Sequence, residues 1–292
     1  MVTYRFRPAR TTLARDPGHL PLRDRAVLRI LNRTGAATVA QLTILAYRNR
    51  RLAQARLRRL WEWGYLERTT LPPPGTRGGA PHAYRLAPAA ADRLGYTRAR
   101  MRGPGYLAHT LDSVEAVCAL VAAAGPGEDA RVLLWLPESI ATDALTGGPL
   151  PDAVVVLAVD PPAIGSIVLC LEIDESNQHA APIGAKLAGY RRSLGGRPGW
   201  HVLFVVPSAG RAAWLRRLGA RLEALAPSVW VTTLDELRAR GIGTALVPVE
   251  RSPAGVTTIG RLPAGPASTT ASPVGSKEWL ELIGSGGSEV VR

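Results

Sequence analysis

Apolar positions recur at helical spacing from Arg23 onward. Ala26, Val27, Ile30 and Leu31 form one stripe of a predicted helix, and Gly35 closes it. Thr38 stands at an N-cap position, which predicts a second helix over 39–47. A third runs from Asn49 to Trp63, with Ala53, Leu57, Leu60 and Trp61 on its apolar side, and Gly64 stops it. Residues 65–69 then read as a strand and 82–86 as its return. The Pro- and Gly-rich turn between them, Leu71 to Pro81, contains Arg77. Three short helices followed by a hairpin is the order of a winged helix-turn-helix.

The rhythm changes further on. Residues 88–95 predict a short helix and 98–105 an arginine-rich connector. An amphipathic helix over 109–124 opens a second domain. Strands are predicted over 131–136, 153–159, 166–173, 201–206 and 229–232, and helices over 183–194, 209–225 and 234–240. Strands alternating with helices late in the domain imply a mixed sheet under helical cover. The fold class expected is therefore α/β (α+β). A mobile basic arm spans 1–20, the winged helix 21–97, a connector 98–108, the mixed-sheet domain 109–245, and a mostly disordered tail 246–292. Within the tail, 278–283 reads as a short docking helix.

Charge sharpens this division. The chain has 292 residues and a net charge of +13. Residues 1–107 hold 21 arginines against five acids, a net of +16; the rest hold 15 basic and 18 acidic groups, a net of −3. A polycationic half points to a polyanion, most often nucleic acid. The third helix carries Arg50, Arg51, Arg56, Arg58 and Arg59 off its apolar stripe, with Arg48 just before it and Arg77 in the wing. These seven are the candidate contacts to double-stranded DNA. The plainer alternative is a solvated helix face, but such faces usually mix signs, and the acid here is Glu62 alone. Cys118 and Cys170 form no C-x-x-C pair, no run approaches 18 apolar residues, and the basic N-terminus has no secretory pattern. A reduced, cytoplasmic protein without a membrane segment or cysteine zinc site is expected.

The second domain holds the candidate chemistry. Glu172 and Asp174 share one face of a strand, and Asp152 opens the strand before it. Glu138 ends an earlier strand. Three carboxylates at adjacent strand ends call for a hard cation, Mg2+ or Mn2+. Two of the 36 basic residues are lysines, and one of them, Lys186, lies one turn into the following helix. Its ammonium is a compact donor able to meet a phosphate charge. The plainer readings are a turn residue for Asp152, a helix N-terminal charge for Glu138, and an exposed strand face for Glu172 and Asp174. Tyr190 shares the helix face of Lys186 and is read as packing rather than as a nucleophile. The five histidines, His19, His82, His109, His179 and His201, are scattered, which excludes a histidine-pair relaxase. No P-loop is present.

Pro151-Asp152 followed by Glu172-Ile173-Asp174 resembles the PD-(D/E)xK nuclease superfamily, with Asp174 standing where that signature has lysine and Lys186 as the candidate replacement. The fuller set is similar to the replication-relaxation family, which includes MOB-C-type plasmid relaxases. That set comprises the winged helix, His109-Thr110-Leu111, Trp135-Leu136-Pro137-Glu138, Pro151-Asp152-Ala153, Leu171 to Asp174, and Lys186 with Tyr190. The resemblance implies a restriction-endonuclease-like second domain that nicks one DNA strand at a plasmid or mobile-element origin, alongside other conjugation or replication proteins. Asp152, Glu172, Asp174, Lys186 and Glu138 would form its site, with Asp152, Glu172 and Asp174 as metal ligands. The competing expectation is a non-enzymatic replication accessory or transcriptional regulator whose nuclease-like domain is an inactive scaffold.

Overall fold

The computed structural model describes residues 4–10, 12–73, 80–96, 105–123, 130–138, 148–159, 165–195, 197–221, 229–249 and 256–265. It is an α/β mixed fold of two units, one built on residues up to Val114 and one on Glu115–Val274. Arg77 and the tail helix expected at 278–283 lie outside the described residues.

In the first unit, α1 (Leu22–Thr34) buries Ala26, Val27, Ile30 and Leu31, the stripe read from the sequence. β2 (Ala37–Thr38) leads into α2 (Val39–Ala46). Thr38 caps α2 in a capping box: its hydroxyl accepts from the Gln41 amide at 3.2 Å, and the Gln41 side chain accepts from the Thr38 amide at 2.9 Å. α3 (Arg50–Glu62) starts at Asn49, whose side chain accepts from the Leu52 amide at 2.9 Å, and buries Ala53, Leu57 and Leu60. Gly64 follows at φ +83°, where a Cβ would meet the Thr12 carbonyl at 2.9 Å, so only glycine turns the chain here. β3 (Leu66–Thr70) and β4 (His82–Leu86) pair antiparallel, and α4 (Pro88–Leu94) follows.

The arm expected to be mobile is docked. β1 (Arg7–Pro8) pairs with β3, giving the sheet order β1-β3-β4-β2. The Trp61 indole donates to the Arg7 carbonyl at 3.1 Å, and the Tyr65 hydroxyl to the Arg15 carbonyl at 2.8 Å. A buried phenol donor requires an acceptor; the arm's backbone provides one for Tyr65, and another for the half-buried Trp61 indole.

The division between units falls within α5 (Tyr106–Ala123). By length and composition alone α5 would pass for a membrane span. It carries Asp112 and Glu115, however, and buries Val114, Ala116, Val117, Cys118 and Leu120, as a core helix does. The second unit is a seven-stranded mixed sheet. β5 (Ala130–Pro137), β6 (Ala153–Val159) and β7 (Gly165–Ile173) run antiparallel. β7, β8 (Trp200–Val206) and β9 (Val229–Thr233) run parallel, connected through α6 (Ala180–Leu194) and α7 (Ala209–Gly219). α8 (Leu234–Arg240) follows β9. β10 (Ala245–Pro248) and β11 (Thr257–Thr258) complete the order β11-β10-β9-β8-β7-β6-β5.

The last two strands correct the expected boundary, because the sheet extends past residue 245. Ser166 bridges Gly265, and the His201 ring pairs with the Pro263 carbonyl at 2.9 Å. Gly199, at φ +78°, lets this segment approach: a Cβ there would collide with the Gly265 amide. β7 is buried on both faces, as its apolar run implies. α6 packs Ile183, Leu187, Tyr190 and Leu194 against Val154, Cys170, Val202 and Phe204. Glu172 emerges into that apolar layer.

Candidate functional site

The carboxylates meet where the β6–β7 ladder ends. The last paired residues are Ala153 and Leu171, so one further step sets Asp152 opposite Glu172. There the side chain replaces the backbone. Asp152 Oδ2 accepts from the Ile173 amide at 2.7 Å, while the Asp152 amide donates to Leu171 at 3.0 Å. Glu138, at the end of β5, joins this corner through its backbone amide, which donates to the Asp152 carbonyl at 2.9 Å.

Glu172 is 2% exposed. Lys186 and Tyr190, one helical turn apart on α6, both donate to it, Nζ to Oε2 and the hydroxyl to Oε1. Burial, and next the Asp152 charge, push the Glu172 carboxyl up to about 7, against the opposing pull of Lys186 and Tyr190. Burial alone would lower Lys186, but the charges of Glu172, Asp152 and Asp174 together raise it. Burial and the neighbouring Glu172 hold the Tyr190 phenol far above its ordinary range, which keeps it a protonated donor to Glu172.

Asp174 is drawn elsewhere. Arg211, from the first turn of α7, grips it with Nε at 2.7 Å and Nη2 at 3.1 Å, and the Ser176 amide donates to it at 2.8 Å. Arg211 also donates to the Gln178 carbonyl at 2.8 Å and lies over the Trp214 ring at 3.9 Å. Arg211 is the residue that sequence reasoning missed.

Asp174, expected as the third carboxylate around one ion, is paired with Arg211 instead of standing free beside Asp152 and Glu172. Among the described residues no three His, Cys, Asp or Glu side chains gather to hold a metal. What remains side by side is Asp152, Glu172 and Lys186. Magnesium commonly binds through one or two carboxylates and keeps several waters, so the Asp152–Glu172 pair is a donor set of the right kind. Lys186 has turned toward the carboxylates rather than toward solvent.

In the first unit, Arg48, Arg50, Arg51, Arg58 and Arg59 are exposed. Arg58 pairs with Glu62 at 2.8 Å. Arg56 differs from these five: it forms an ion pair with Asp24, which is 1% exposed. Its role is to neutralise a buried charge. Arg56→Ala should lower stability to urea by about 3 kcal/mol, the cost of stranding a buried ion. It should leave the salt dependence of DNA binding near that of the parent. A change in salt dependence equal to that of Arg50→Ala would return Arg56 to the DNA-facing set.

The geometry defines a protein with an arginine-bearing helical unit and a mixed sheet whose covered face holds a Glu–Lys–Tyr cluster beside a second carboxylate. The family model described as replication-relaxation matches residues 28–202, more than half of the chain, and the chain belongs to that family. Membership ties it to plasmid or mobile-element replication. Comparison with curated proteins and with solved structures finds no match.

Proposed function

We propose that this protein binds duplex DNA at a replication origin and nicks one strand there. The first unit would act as the winged helix, with Arg48, Arg50, Arg51, Arg58 and Arg59 meeting phosphates and base edges. The second unit would carry the chemistry in a nuclease-like site. The observation that carries this reading is the buried Glu172–Lys186 pair beside Asp152, in a layer otherwise filled by Val154, Cys170, Leu187 and Phe204. Apolar residues of similar volume often stabilise a core as well as an ion pair does, so a charged cluster there fits a chemical role.

Asp152 and Glu172 are the residues that would hold Mg2+ or Mn2+. When bound, such an ion supplies charge stabilisation at the phosphate and an activated water. Tyr190 fixes the orientation of Glu172. Lys186 offers a compact positive charge to the phosphate as negative charge develops. Arg211 keeps Asp174 out of the pair and so limits repulsion toward the incoming DNA.

The test is a nicking assay on supercoiled plasmid carrying the cognate origin, with magnesium or manganese. The parent nicks, and Asp152→Asn and Glu172→Gln each lose activity by about 100-fold or more while still binding DNA. A second reading rests on a specific observation: both Glu172 oxygens and both Asp174 oxygens already have donors. If the parent cuts nothing with either metal, the domain is a scaffold and the protein is a non-enzymatic accessory or regulator.

A further inference from the structure

A cavity of about 670 Å³ opens on the first unit where the docked arm meets β3. Tyr4, Arg5, Arg7, Trp61, Arg68 and His82 are among its lining residues, and none of its described lining residues is a carboxylate. We propose that this cavity is a cradle for an unpaired segment of single-stranded DNA, separate from the exposed arginines of α3.

The charges support an anionic occupant. Arg7 and Arg68 are direct cross-strand partners. Like charges placed directly opposite each other destabilise a sheet pair. The adjoining pair, Pro8 and Glu67, offers no relief, because Glu67 is held by Arg85 at 2.6 Å. Arg5 lies two residues before Arg7, the spacing that returns a side chain to the same face of an extended chain. Three guanidiniums thus line one hollow with no counter-charge among its described lining residues. A phosphodiester chain supplies that charge with a periodicity several arginines can follow.

The rings support a nucleotide rather than a lone anion. The Arg68 guanidinium carbon lies over the Trp61 ring, 3.6 Å from its centroid. Unpaired bases stack on both aromatic rings and guanidinium planes, so this layered pair is a platform for a base. The Trp61 indole is itself tied to the Arg7 carbonyl, which holds arm and platform together. The volume falls within the roughly 300–1,000 Å³ of pockets that take small organic ligands, room for an unpaired nucleotide but not for a duplex. The source of such a strand rests on the proposed action at an origin, where strands separate. The cradle itself does not depend on nicking.

The test uses the full chain and fluorescence anisotropy with two probes: a labelled oligothymidylate and a labelled duplex of the same length. Arg5→Ala with Arg7→Ala should weaken oligothymidylate binding by about tenfold or more, through lost phosphate contacts. It should weaken duplex binding far less. Arg50→Ala with Arg51→Ala should show the opposite preference. Both arm residues are exposed, and Arg7 pairs with Arg68 through backbone, so the fold should persist, as near-parental urea midpoints would confirm. Equal losses for both probes in both variants would reduce the cavity to part of a diffuse basic surface and overturn the proposal. Failure of the parent to hold oligothymidylate would also overturn it while leaving the nicking reading intact. Loss of nicking with oligothymidylate binding preserved would do the reverse.

Discussion

Lys186→Ala lowers the rate of origin nicking by about 10²–10⁴-fold, the span expected when one positioned donor is removed from a charge-stabilising site. Lys186→Arg recovers little of it. The ammonium reaches Glu172 from the second turn of α6, inside a layer closed by Ile183, Leu187 and Phe204. A guanidinium is planar and larger, and in this packing it restores charge without restoring position. DNA affinity at fixed salt stays within about threefold of the parent, because the proposed reading assigns binding to the arginines of the other unit. Single-turnover nicking on the cognate origin measures the rate. Full activity in Lys186→Arg would show that Lys186 contributes charge alone.

Glu172 sets the pH dependence of the same site. Its folded carboxyl sits at about 7, well above the ordinary value of 4.5. Between those values the folded chain holds a proton that the unfolded chain has released. Stability from this group is therefore greatest below the window and falls as pH rises through it. Activity runs the other way, since the ionised carboxylate is the useful form, and the parent's rate climbs through pH of about 7. Glu172→Gln abolishes the fall in stability across that window, which urea denaturation at several pH values measures.

Local signals carried most of the fold. The stripe of Ala26, Val27, Ile30 and Leu31, the Thr38 cap, and the short strands bounded by glycine each act over a few residues, so the sequence displays them directly. The acids of β7 were legible for a related reason. A strand buried on both faces has no solvent side to explain Glu172. What escaped was long-range pairing between charged groups. Arg211 lies 37 residues from Asp174 and reaches it only because β7 and β8 run parallel, which starts α7 at the same sheet end. Arg56 lies 32 residues from Asp24, and its place on α3 gave no sign that it turns inward. β1 and β11, of two residues each, are too short for any periodicity.

The other large effect belongs to the first unit. Arg50→Ala, Arg51→Ala and Arg59→Ala combined weaken duplex binding by about 10²–10³-fold at moderate salt and reduce the slope of log affinity against log salt by about 2–3, since each phosphate contact releases roughly one counterion. All three side chains are exposed on α3, whose opposite side is fixed by Ala53, Leu57 and Leu60 in the core. Removing them leaves the helix anchored and capped by Asn49. Arg58 is omitted because its partner Glu62 already neutralises part of its charge, and an exposed i,i+4 pair contributes only a few tenths of a kcal/mol to the helix. The contrast with Arg56→Ala separates the roles: Arg56→Ala costs stability with an unchanged slope, whereas the triple variant loses slope with nearly unchanged stability. Titrations over a range of salt concentrations, paired with urea midpoints for both variants, resolve the two. If the triple variant keeps the parent's slope, α3 is a solvated face, and the charge excess of residues 1–107 must act through the arm and sheet instead.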